Sequence, residues 1–200
     1  MRVIGLTGGI GTGKTTVSQM LQDLGAALLD ADKVGHQSYL PDSPAWKEIL
    51  AEFGEGLLQP NREIDRRKLG SIVFANPSAL AKLNSIVHPR MRDMIQDQLK
   101  DMERQGVKVV VFEAAILIEA KWTGIPDEVW VTDASEDTVV LRLAARNGWS
   151  EEQARARIAS QLPRSERLSY GDVVIDTDCS LDEVRKQVQA HWRERIGLLE

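Results

Sequence analysis

Two hundred residues with 25 basic and 30 acidic side chains carry a formal net charge of −5, which gives no electrostatic footprint for nucleic acid. No apolar run approaches the ~20 residues needed to cross a bilayer, and a lone cysteine, Cys179, excludes an internal disulfide framework. A composition of 42% hydrophobic and 28% charged residues suits one α/β core with inserted pieces. The first strand starts so near Met1 that no targeting peptide is expected, and the cytoplasm is the expected compartment.

Arg2-Val3-Ile4-Gly5-Leu6 has the character of a short buried strand. It runs into Gly8-Gly9-Ile10-Gly11-Thr12-Gly13-Lys14-Thr15, which has the G-x-x-x-x-G-K-T spacing of a phosphate-binding P-loop. Glycines there let successive backbone N–H groups turn inward around phosphate oxygens. Lys14 is placed to meet the β- and γ-phosphates, and Thr15 to offer Mg²⁺ a hydroxyl. Thr16 to Leu24, stopped by Gly25, is the helix whose positive N-terminal end faces the anion. A glycine-rich turn that merely holds a Lys-Thr pair is the competing explanation, and the strand and helix on either side argue against it.

Ala26 to Leu29 predicts a second buried strand, ending at Asp30-Ala31-Asp32. Ligands of open parallel sheets bind outside the strand C-termini, so both carboxylates are expected on the side of the P-loop. From spacing alone Asp32 suits two roles equally. It can orient or deprotonate an acceptor hydroxyl, or hold Mg²⁺ through water; or it can cap the next helix.

From Lys33 to Pro89 no strand-like run occurs, which predicts an all-helical insertion. Pro41 and Pro44 separate a first helix from one over Ala45 to Phe53, Asp65 caps another reaching Phe74, and Asn76-Pro77 opens one that His88-Pro89 ends. Arg66, Arg67 and His88 are the polar residues with potential work here. Solvated helix faces for the arginines, and packing or capping for His88, explain them as well on spacing alone.

Arg90 to Gln105 predicts a long helix closed by Gly106, and Val107 to Glu113 the next strand. An acid after apolar residues resembles the second acidic motif of P-loop proteins, which holds Mg²⁺ through water, with Glu113 in place of the usual Asp. Glu119 lies on Ala114 to Ala120, a stretch that either lines the cleft or is buried helix. Glu128 to Thr132 is a fourth strand, and Asp133 at its end is expected to be structural. On the helix from Asp137 to Asn147, Arg142 and Arg146 are four apart and share a face, where they repel unless an anion sits between them. Ser150 and Gln153 form a capping box for a helix bearing Arg155, Arg157 and Gln161, ended by Pro163 and followed by Arg164 and Arg167. Six arginines in an acidic chain suggest a lid closing over a polyphosphate. Pairing with Glu151, Glu152 and Glu166 is the alternative, and is expected for Arg155. Asp172 to Ile175 is a fifth strand, Ser180 and Glu183 cap the last helix, and His191 and Cys179 are expected to be structural.

Together these elements predict an α/β, three-layer P-loop NTPase fold with a five-stranded parallel sheet, a helical insertion and a helical lid. The expected boundaries are a nucleotide-binding core over 1–32, 90–138 and 168–200, the insertion over 33–89 and the lid over 139–167. A nucleotide-switch protein is the rival from another class, but the guanine-reading Asn-Lys-x-Asp element is absent.

Several stretches carry a closer likeness: Ile4-Gly5-Leu6-Thr7-Gly8-Gly9-Ile10-Gly11, Asp30-Ala31-Asp32, Asp65-Arg66, His88-Pro89, Leu141-Arg142, Arg157-Ile158-Ala159-Ser160-Gln161 and Asp172-Val173-Val174-Ile175. Nearly end to end, the chain resembles the dephospho-coenzyme A kinase family. The resemblance implies ATP-dependent phosphorylation of the ribose 3′-hydroxyl of dephospho-CoA, with Mg²⁺, as the last step of coenzyme A biosynthesis. It implies Asp32 as the base, also touching Mg²⁺ through water, and Lys14 and Arg142 as its catalytic companions. ATP would be held by Gly8, Gly9, Ile10, Gly11, Thr12, Gly13, Lys14, Thr15 and Thr16, with Arg142 and Arg146. Arg66, His88, Glu119 and Arg157 fall with Asp32 on the substrate side. Expected partners are these small molecules, with neither nucleic acid nor membrane, in a monomer or weak homo-oligomer. The chain departs from the family at Ala115 and Ile118, where Pro and Phe are common, at Thr177 and Cys179, where Asn and Gly are usual, and at Val139 in place of a frequent Gln. Differences in the acceptor wall and near the adenine are therefore expected.

Overall fold

The computed structural model describes residues 1–197. The chain divides into two compact units, residues 1–30 with 101 onward, and residues 31–100. In chain order the elements are β1 (Arg2–Gly8), α1 (Lys14–Asp23), β2 (Ala27–Asp30), α2 (Ala31–Ser38), α3 (Pro44–Phe53), α4 (Arg66–Phe74) and α5 (Pro77–Arg104). They continue with β3 (Val109–Glu113), β4 (Glu128–Asp133), α6 (Glu136–Asn147), α7 (Glu151–Ala159), α8 (Arg164–Ser169), β5 (Val173–Asp176) and α9 (Leu181–Arg195).

In the first unit all five strands are parallel, in the order β2-β3-β1-β4-β5. Parallel strands need covering on both faces, and the apolar runs of β1, β3 and β4 supply residues for both. Alternate residues Ile4, Leu6, Val109, Val111, Trp130, Val173 and Ile175 pack on Val17, Met20 and Leu21 of α1 and Val184 and Val188 of α9. On the opposite face the approach is closer still: a Cβ on Gly5 would stand 2.6 Å from Pro126 Cγ. The register aligns Asp30 and Leu6 with Glu113, and Gly8 with Thr132. Chemistry-bearing residues therefore gather at the C-terminal edge of the sheet.

Two local expectations for this unit need correction. β3 starts at Val109 rather than Val107, because the Val107 N–H is spent on Met102 O (3.1 Å), closing the helix before it. The stretch from Ala114 to Ala120 forms successive turns rather than a helix, and Lys121 after it takes a left-handed conformation (φ 58°) that ends any helical path.

The second unit contains α2 to α4 and α5 as far as Lys100, with the starts of α3 to α5 fixed by local chemistry. Ser43 accepts the Trp46 N–H ahead of Pro44, Asp65 Oδ1 accepts from Arg67 N and Lys68 N (3.0 and 3.2 Å), and Asn76 Oδ1 from Ser78 N and Ala79 N (3.0 and 3.3 Å). His88-Pro89 does not end a helix: α5 runs through Pro89 without interruption. Proline removes one intrahelical bond and costs about 3 kcal/mol. Ile86, Val87, Met91, Ile95 and Leu99, on both sides of Pro89, are all buried, and their burial offsets that cost. Arg90 also reaches back to donate to the Ile86 carbonyl beside the break. Among the described residues no helix is long and apolar enough to cross a membrane.

Candidate active site around the phosphate-binding loop

Gly8 to Thr15 connects β1 to α1, and the glycines do the geometric work. Gly11 and Gly13 take φ of 75° and 81°, and Gly13 stands at the N-terminus of α1, where no side chain caps the helix. The first N–H groups of α1 are thus turned toward the loop, in the arrangement that favours an anion. Thr15 and Thr16 are exposed on that first turn.

Thr12 is different. Its side chain is 6% exposed and points into the protein, where Oγ1 donates to Gly9 O and meets Thr132 Oγ1, each at 2.8 Å. That leaves its backbone, rather than its hydroxyl, facing the loop. The same packing explains Gly8, where an added Cβ would lie 2.0 Å from Thr132 Oγ1 and 2.6 Å from Thr12 Oγ1. Gly8→Ala is expected to displace the loop, destabilise the chain by about 1–3 kcal/mol as overpacking does, and weaken ATP binding. Thermal melting and titration with ATP check both parts.

Lys14 Nζ lies 2.5 Å from Glu113 Oε1, and the two side chains are 17% and 12% exposed. Glu113, expected as a carboxylate for Mg²⁺, is thus the partner of Lys14. Among the described residues no three His, Cys, Asp or Glu side chains are grouped to hold a metal by themselves. The donors present, a threonine hydroxyl and strand-end carboxylates, fit an Mg²⁺ that brings most of its ligands as water and phosphate oxygens.

The arginine-rich segment lies in the same unit. α6 and α7 enclose a small core of Ala134, Val139, Val140, Leu143 and Ala154, and Ile10 of the loop packs against it. Arg142 and Arg146 turn to different partners. Arg142 turns inward, donating to Gly11 O (3.2 Å), Thr177 Oγ1 (3.1 Å) and Thr177 O (2.6 Å), whereas Arg146 is exposed and bonds Asn147 Oδ1. Four residues along a helix set a shared face, but the long side chains follow the carbonyls within reach. Thr177 is a junction: its hydroxyl, with one proton to donate, lies within hydrogen-bond distance of both Thr12 O and Asp133 O (2.9 and 3.0 Å) and so ties the end of β5 to the loop. Arg155 pairs with Glu151 as expected, but its other partners are Glu136 and Asp137 on α6. These bonds to three carboxylates raise its pKa. Arg164 forks onto both oxygens of Asp133 (2.8 and 2.5 Å), giving that residue the structural role expected of it. Arg157 is exposed on α7, and Glu119 is exposed in the turns before β4. The sequence did not reveal α8, whose start is set by Pro163 rather than by a capping side chain.

The other sequence-selected residues belong to the second unit. Asp32 is not an N-cap: α2 begins at Ala31, directly after β2, and Asp32 is an exposed acid in its first turn. Arg66 opens α4, its Nη1 3.5 Å from His36 Nδ1, and it opposes the rise that burial causes in the Tyr39 pKa. His36 and Tyr39 went unnoticed in the sequence, although Asp32, His36 and Tyr39 follow the i, i+4, i+7 spacing of one helical face. His88 is half-buried in α5, and desolvation lowers its pKa, favouring the neutral imidazole.

A P-loop after the central strand of this sheet, with arginines on a hairpin fastened beside it, places the protein among the P-loop kinases. Within that class the family is defined by sequence: residues 2–183 match the sequence model of dephospho-CoA kinase, and the chain belongs to that family. A dephospho-CoA kinase of Geobacter sulfurreducens is 44% identical over 196 residues, covering 98% of this chain and all of the relative (100%). Among solved structures, a Thermus thermophilus protein superposes with a TM-score of 0.81 at 30% identity, covering 98% of both chains. A dephospho-CoA kinase from Campylobacter jejuni gives 0.72 at 26% identity, with 99% of this chain and 100% of that one covered.

Proposed function

We propose that this protein transfers the γ-phosphoryl group of ATP to the ribose 3′-hydroxyl of dephospho-CoA, releasing ADP and CoA in the last step of coenzyme A biosynthesis. The observation that carries the reading is the phosphate-binding loop, with its uncapped α1 terminus and Lys14 at its end, in a chain of this family. The backbone of Gly11 to Thr16 and Lys14 would hold the phosphates, with Gly8, Gly9 and Ile10 completing the ATP-binding loop and Arg142 and Arg146 on the lid side. Thr15, with Asp32 through water, would hold Mg²⁺, which supplies charge neutralisation on the phosphate oxygens. Asp32 would take the proton from the acceptor hydroxyl, whose oxygen bonds to the γ-phosphorus as the bond to the β-γ bridging oxygen breaks. Arg66, His88, Glu119 and Arg157 would bind the acceptor, residues 33–89 forming its domain and residues 139–167 the lid. A cytoplasmic monomer or weak homo-oligomer, acting on small molecules without nucleic acid or membrane, fits this role.

ADP release from ATP, measured with dephospho-CoA, without acceptor and with a panel of nucleosides, tests the proposal. Release that depends on dephospho-CoA is the expected result. Release without acceptor, or with another nucleoside alone, would overturn it.

A further inference from the structure

The connection between α7 and α8 touches the phosphate-binding loop through a polar contact. Gln161 Oε1 accepts the Ile10 N–H at 2.9 Å, from a residue 151 positions further along the chain. The Arg167 guanidinium lies beside it: a Cβ on Gly9 would stand 3.0 Å from Arg167 Nη1 and 3.5 Å from Gln161 Oε1. Arg167 is 9% exposed and its Nη2 donates to Leu162 O at 2.7 Å, so it fixes the connection that carries Gln161. The Ile10 side chain meanwhile packs against the α6–α7 core together with Ile158. Gly9, Ile10, Thr12, Gln161 and Arg167 all line a cavity of about 300 Å³, so close packing does not by itself hold Gln161 against the loop.

We infer that Gln161 is a positioning residue for ATP, which pre-sets the first half of the phosphate-binding loop by holding the Ile10 N–H. The physical reason is entropic. A loop containing Gly8, Gly9, Gly11 and Gly13 has more backbone freedom to lose on binding than one with side chains at those positions. Fixing Ile10 at both its amide and its side chain removes part of that freedom before a nucleotide arrives, so less of the binding energy goes into ordering. The acceptor is also neutral. A carboxylate in its place would pair with Arg167 and cancel positive charge beside a loop meant for anions. The inference rests on the ATP-binding half of the function proposed above and not on the identity of the acceptor.

Two full-length variants test it. Gln161→Met has similar volume but no amide acceptor, whereas Gln161→Glu keeps an acceptor and adds a charge. In Gln161→Met the Ile10 amide should exchange about tenfold faster in the nucleotide-free protein. The Kd for Mg-ATP by calorimetry should rise about five- to tenfold, the order of one lost hydrogen bond. The KM for dephospho-CoA and the melting temperature should stay close to those of the unaltered chain. Gln161→Glu should restore protection of the Ile10 amide while leaving ATP binding weak. Unchanged or tighter ATP binding in Gln161→Met overturns the inference. So does a loss of melting temperature together with affinity for both substrates, which marks a merely structural residue. If the unaltered chain binds ATP but phosphorylates no dephospho-CoA, the functional proposal fails, while ATP affinity and Ile10 exchange still decide this one.

Discussion

Lys14→Ala is expected to lower turnover by about 10²- to 10³-fold or more, the cost typical of removing one preorganised group that stabilises transition-state charge. The lysine is a point charge at the end of a loop that otherwise offers mainly backbone amides. The structure adds a complication that a loop lysine does not suggest, since Lys14 is largely enclosed and its partner Glu113 is 12% exposed. Removing the ammonium leaves a carboxylate with its partner gone beside a phosphate site, so Lys14→Ala combines a lost attraction with a new repulsion. The double variant Lys14→Ala/Glu113→Gln separates the two. It should recover part of the ATP affinity lost in Lys14→Ala, by removing the repulsion, but little of the turnover. If Lys14→Ala is folded and turns over normally, Lys14 is only the counter-ion of Glu113. If Glu113→Gln in the double variant restores turnover fully, the lysine served to neutralise Glu113 and contributed nothing to transfer.

The sequence was legible where the determining chemistry is local. The phosphate-binding loop, the capping boxes at Ser150 and Ser180 and the Asp65 and Asn76 caps each rest on residues within a few positions, and the structure contains all of them. Strand cores were legible for the same reason, because a doubly covered parallel strand is simply a short apolar run. Legibility fails where a distant partner decides. Pro89 is a sound local stop signal, overridden by burial of the residues around it. Arg142 and Arg146 share a helical face by spacing, yet Arg142 is drawn to the carbonyls of Gly11 and Thr177, which no spacing brings into view. The pairing of Glu113 with Lys14 was equally hidden, because the two are 99 residues apart. Thr12 and Gln161 belong to the same class. One is a loop residue whose side chain works inward, and the other a helix-end amide that acts on a loop at the opposite end of the sequence.

Asp32→Asn carries the second large expectation: turnover lower by about 10²-fold or more, because a positioned general base typically contributes ~10² to 10⁴. The structure gives Asp32 a stabilising role other than capping. As an N-cap it would have been replaced by Asn almost without cost, but it stands inside the first turn of α2, where a carboxylate stabilises the helix through the N-terminal dipole. That effect is worth about 0.3–1 kcal/mol at an exposed position, and about 2–4 °C of melting temperature per kcal/mol in a chain of this size. The two accounts therefore predict different pairs of numbers. A dipole role lowers the melting temperature of Asp32→Asn by a few degrees and leaves turnover of the folded enzyme unchanged. A base role adds to that small loss of stability a fall in turnover by orders of magnitude, with ATP affinity little altered, because the amide keeps the size of the carboxylate but loses its charge and its ability to accept the proton. Asp32→Glu sharpens the comparison. It retains the charge and most of the dipole benefit but carries the carboxylate one methylene further, and a displacement of about 1 Å is enough to cost on the order of 10²-fold in a proton transfer that depends on alignment. Low turnover in both variants, with a melting temperature near normal in Asp32→Glu, is the expected pattern. Normal turnover in Asp32→Asn would remove Asp32 from the chemistry and leave it as a residue that stabilises α2.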